Sequence, residues 1–97
     1  MFDVFEEMSK LIPFQSCQKF RKDKEFLIVT NMNNYMTYLN ETAGDIFLLC
    51  NNQNTIQDIL EALLAEYQVN EDILKKDIVN TIRDLQWNHL IELRHRV

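Results

Sequence analysis

Tyr35-Met-Thr-Tyr-Leu39 runs without a break into Asn40-Glu-Thr-Ala-Gly-Asp-Ile-Phe47, and the hydrophobic period changes at the join. Before Asn40 the pattern alternates. Tyr35, Thr37 and Leu39 point one way and Met36 and Tyr38 the other, as on a strand. After Asn40, the residues Ala43, Ile46, Phe47 and Cys50 fall at i, i+3, i+4 and i+7, the stripe of an amphipathic helix. Asn40 is a good cap, because its side-chain oxygen can accept from an orphan N–H of the first turn. A strand feeding directly into a helix orders the elements on both sides of it.

Upstream, residues 17–39 predict a three-strand meander. Cys17–Arg21 is the first strand and Lys22-Asp-Lys24 a polar turn. Glu25–Thr30 is the clearest strand, rich in β-branched and aromatic residues. Asn31-Met-Asn-Asn34 is a turn, since Asn tolerates a left-handed backbone better than most residues. Downstream, Asn51–Asn54 breaks the first helix. Thr55 caps the next, with Asp58 in the place of the usual capping-box Glu. Its buried stripe is Ile56, Ile59, Leu60, Leu63 and Tyr67. Asn70 caps a third helix with core positions Leu74, Ile78, Ile82 and Leu85. Leu90–Leu93 forms a short final strand or an ordered tail, and Arg94–Val97 a frayed end. In residues 1–14, Phe2, Phe5, Met8 and Leu11/Ile12 follow a helical repeat that Pro13 ends. This appended segment precedes the domain at 15–97. It either packs on the domain's own surface or makes a dimer contact.

A small sheet leading into three helices predicts an α+β winged helix-turn-helix: a three-stranded antiparallel sheet followed by three helices, the third longest. The 97 residues fit one domain, and 46% apolar content suffices for a core. The charge is −5, no apolar run nears the ~18 residues of a membrane helix, and the acidic N-terminus lacks a basic secretion start. A cytoplasmic protein without membrane association is the expectation. Cys17 and Cys50 have no paired spacing and no neighbouring His, unlike the ligands of a zinc site. A single Gly cannot build a phosphate loop. The carboxylates lie on helix faces where solvation explains them. No catalytic residue, metal or cofactor is expected, and the chain is not expected to be an enzyme.

Tyr38-Leu-Asn-Glu-Thr-Ala43, Ile46-Phe47, Thr55-Ile-x-x-Ile59, Tyr67-x-Val69, Lys76-Asp-Ile78, Ile82 and Leu85 together resemble the PqqD family, also called RiPP recognition elements. The similarity spans roughly Cys17 to Leu93. Two positions depart from the family pattern: a Gly after the first helix is replaced by Asn51-Asn52, and one after the third by Asn88-His89. The resemblance implies a non-catalytic peptide chaperone of natural-product biosynthesis. Such domains bind the leader of a ribosomally made precursor and present it to a modifying enzyme, often a radical S-adenosylmethionine enzyme. It also implies that the leader adds to the third strand and lies against the third helix.

On this chain the strand is Tyr35, Met36, Thr37, Tyr38 and Leu39. An exposed edge carries unpaired backbone groups that an extended peptide can satisfy. On the third helix, at about 100° per residue, Lys75, Val79 and Gln86 lie beside the core stripe. Ile82 sits at its border and Arg83 beyond. This reading gives an apolar floor, Val79 and Ile82, between the cations Lys75 and Arg83, suited to a leader with an apolar anchor and a nearby acid. The bland alternative leaves Lys75 and Arg83 as solvated charges. A competing reading is a winged-helix DNA-binding transcriptional regulator. Against it, the first two helices carry Glu41, Asp45, Asp58, Glu61 and Glu66 and no Lys or Arg, so phosphates would be repelled. No nucleic-acid partner is expected. A strand edge and an apolar N-terminal segment also predict a homodimer or a monomer–dimer equilibrium.

Overall fold

The computed structural model describes residues 3–96. The expected core architecture is present: a three-stranded antiparallel sheet followed by three helices. In chain order the elements are α1 (Val4–Met8), β1 (Ile12–Gln15), β2 (Lys19–Asp23), β3 (Phe26–Thr30), β4 (Met36–Leu39), α2 (Glu41–Leu49), α3 (Ile56–Glu66), α4 (Glu71–Trp87) and β5 (Ile91–Arg94). The sheet order is β2-β3-β4, and β1 pairs with β5 in a separate two-stranded ribbon. Sheet followed by helices is compatible with a winged helix-turn-helix.

The caps fall where the sequence places them. Asn40 accepts from Ala43 N–H, Thr55 and Asp58 form a reciprocal capping box, and Asn70 accepts from Asp72 and Ile73 N–H. Each satisfies donors that a helix start leaves orphaned. The helical stripes close on one core. Ile46, Phe47, Ile56, Ile59, Leu63, Ile78 and Ile82 are wholly buried, over Leu27 and Val29 of β3. Gly44 brings α2 close to β3: a Cβ there would lie 3.4 Å from Leu27 Cβ.

The N-terminal segment differs from its sequence reading. Its helix ends at Met8, and Pro13 lies inside β1 rather than stopping a helix. Phe2 of the expected repeat lies outside the described residues, as does Val97. A proline suits an edge position, where its missing N–H interrupts no ladder. Leu11 C=O accepts from Ile56 N–H, and Ser9 C=O accepts from Gln57 N–H. Backbone of this segment thus satisfies donors in the first turn of α3. Phe5 and Ile12 are buried, and α1 packs on α4. The first two strands of the meander lie slightly later than expected: β2 begins at Lys19 and β3 at Phe26. The turn between them centres on Lys24, whose φ is 59°.

Candidate functional site

The free edge of β4 is the natural starting point. Asn31 N–H donates to Tyr35 C=O at 2.9 Å. The register continues Val29↔Thr37 and Leu27↔Leu39. In an antiparallel ladder, hydrogen-bonded and non-hydrogen-bonded pairs alternate. Tyr35, Thr37 and Leu39 therefore direct their backbone groups to β3, and Met36 and Tyr38 direct theirs outward. Among the described residues nothing pairs with that side of β4. Side chains split the same way: Leu39 is buried, while Met36 and Tyr38 are exposed. Tyr35 precedes the strand and is exposed as well.

Between β4 and α4 runs a groove. One wall is Thr37, Leu39, Asn40 and Ala43, from β4 and the start of α2. The other is Thr81, Asp84, Leu85 and Asn88 of α4. Asn31, at the head of the β3–β4 turn, ties the two walls together. Its amide nitrogen donates to Asn88 C=O at 3.0 Å, and its oxygen accepts from Asn33 and Tyr35 N–H.

The structure divides the residues singled out from the sequence. The β4 residues all lie at the groove or its edge. The α4 residues lie elsewhere. Lys75 and Val79 face α1, in a depression shared with Val4 and Phe5. The Lys75 ammonium stands 5.3 Å from the centre of the Phe5 ring and 3.7 Å from Glu71. Val79 lines that depression and Ile82 is fully buried, so neither lines the groove beside β4. Arg83 is exposed. This placement has a simple cause. A core stripe on a helix has two margins about 180–200° apart, and Lys75 and Val79 occupy the margin away from β4. Thr81, Asp84, Leu85 and Asn88 fit the same i, i+3, i+4, i+7 spacing on the other margin, so the pattern was visible but not its side.

Reactive side chains are muted. Cys50 is fully buried, which pushes its thiol up to about 12, and its Sγ donates to Ile46 C=O. The half-buried Cys17 is raised as well, again by burial. A thiol held protonated is a poor nucleophile. Tyr67 is pushed up to about 12, first by its hydrogen bond to Asp45 and then by burial. Among the described residues no cluster of three metal-ligating side chains occurs, and no helix is long and apolar enough to cross a membrane.

The family model for Coenzyme PQQ synthesis protein D (PqqD) matches residues 27–91, from β3 to the start of β5. The chain belongs to the PqqD family. Its groove and both groove walls lie inside the matched span. The fold of this PqqD-family chain is similar to that of TbiB1, solved in complex with the TbiA(beta) leader peptide. The TM-score is 0.69 at 19% identity, over 76% of this chain and 87% of TbiB1. No curated protein matches the chain. The two departures from the PqqD pattern are informative in place: Asn52 and His89 have φ of 68° and 58°, the left-handed region that glycine enters most easily.

Proposed function

We propose that this PqqD-family chain is a non-catalytic recognition module for the leader of a ribosomally synthesised precursor peptide. The leader adds to β4 as a further strand, taking backbone hydrogen bonds from Met36 and Tyr38 and seating alternate side chains in the groove against α4. The observation that carries this reading is the unpaired outward edge of β4 above a preformed groove. Family membership and the likeness to a leader-bound TbiB1 support it.

On this reading the second partner is a cytoplasmic peptide-modifying enzyme, of the radical S-adenosylmethionine type that the family often serves. The recognition domain is 15–97, and in the segment before it α1 packs on α4 at the margin away from β4. A second copy of the chain could use the same β4 edge, so dimerisation and leader binding would compete. The transcriptional-regulator reading is not favoured, because α2 and α3 present acids and no cation.

Met36→Pro tests the reading directly. It removes an outward N–H and leaves the β3 ladder intact, since that N–H is not paired there. Calorimetric titration with the leader of a precursor peptide encoded beside the gene should show at least about tenfold weaker binding. Circular dichroism should show an unchanged fold. Unaltered affinity in a folded Met36→Pro variant would sink the proposal.

A further inference from the structure

The groove is electrostatically one-sided. Its lining is neutral or apolar except for a single charged residue, Asp84. Among the described residues Asp84 makes no ion pair. Two further acids carry the same sign: Asp77 lies on the same margin of α4 two turns before Asp84, and exposed Glu41 follows Asn40 at the start of α2. The cations of α4 are directed elsewhere. Lys75 is held by Phe5 and Glu71, and Lys76 lines the depression beside α1. Arg83, one residue before Asp84, projects about 100° further round the helix.

We infer that the β4–α4 groove selects a peptide strand carrying a lysine or arginine beside Asp84, close to an aliphatic residue on the Leu39, Ala43 and Leu85 floor. This rests on the peptide-binding reading and reverses the acidic preference expected from Lys75 and Arg83. A strand added at β4 points every second side chain toward α4, with neighbours of that set about 6.6–7 Å apart. Apolar anchor and cation therefore belong to the inward set, at alternate positions. The outward set passes beside Met36 and Tyr38, where no such charge stands. An approaching cation also meets the summed field of Asp77, Asp84 and Glu41, which favours encounter and disfavours acidic sequences. An ion pair at a groove rim, partly covered by the peptide, corresponds to about a fivefold preference for the cation.

The test uses a random-peptide display library panned on the immobilised full chain, its Asp84→Asn and Asp84→Lys variants, and Met36→Pro. The selected peptide and its Lys-to-Glu counterpart are then titrated into each protein. On the unsubstituted chain, enriched peptides should share an aliphatic residue and a Lys or Arg at alternate positions. Asp84→Asn should erase the charge preference, and Asp84→Lys should invert it toward Glu or Asp at the same position. Met36→Pro should abolish enrichment. Enrichment that needs Met36 but ignores both Asp84 variants overturns the charge inference and leaves peptide binding standing. Absence of enrichment, or enrichment indifferent to Met36→Pro, overturns both.

Discussion

His89 shows how much a single backbone position can ask of a residue. Helix α4 ends at Trp87 with Asn88 as its cap, and His89 follows with a φ of 58°. His89 N–H donates to Gln86 C=O, and Leu90 N–H donates to Leu85 C=O. That pair of bonds is a Schellman ending, and Leu85 and Leu90 both lie in the buried core. Histidine enters the left-handed region at a cost that glycine avoids. His89→Gly should therefore leave stability unchanged or raise it by up to about 1 kcal/mol. His89→Val, whose branched Cβ crowds that region, should lower it by about 1–2 kcal/mol. Urea denaturation of both variants checks the order. Asn52, in the turn after α2, is left-handed as well, but its N–H donates across to Pro13 C=O rather than back into the helix.

At the scale of an element, the β3–β4 hairpin depends on Asn31. Asn31 is 5% exposed, yet all of its side-chain polar atoms have partners. One residue thereby shapes its own turn and anchors it to the end of α4. Sequence reasoning placed the turn correctly at Asn31–Asn34, and Asn34 does take the left-handed conformation, with φ of 68°. What the local pattern lacked was the bond to Asn88, 57 residues away. Asn31→Ala leaves two N–H groups and one C=O without that partner and should cost about 2 kcal/mol. Hydrogen exchange should show faster exchange at Tyr35 than in the parent. Equal protection at Tyr35 would mean that the hairpin holds without its tether.

For the molecule as a whole, the position of α1 decides which margin of α4 is open. Val79 lies under α1, and Lys75 is held against Phe5. Val79→Glu would place a carboxylate among buried apolar groups and should destabilise the protein by about 3 kcal/mol. A loss of peptide binding in that variant would then report unfolding rather than a lost contact. Arg83→Glu, on an exposed face, should change stability by no more than about 0.5 kcal/mol. Thermal melts of the two variants separate them. Similar melting temperatures would contradict the burial of Val79.

The order of elements, the three caps at Asn40, Thr55 and Asn70, and the core stripes of all three helices were legible along the chain. Each depends on neighbours within about one or two helical turns or on strand alternation, and such short-range chemistry is written in the sequence. The third strand was legible for the same reason, and with it the candidate edge. Tertiary structure alone decided the rest. Pro13 reads locally as a stop, but pairing of Ile12–Gln15 with Ile91–Arg94 makes it part of a strand. Val79 reads as a surface position until α1 packs on α4 and leaves it 8% exposed. Thr81, Asp84 and Asn88 become groove residues only because β4 lies on their side of α4. Periodicity fixes which residues share a face of a helix, but it carries no information about what another segment places against that face.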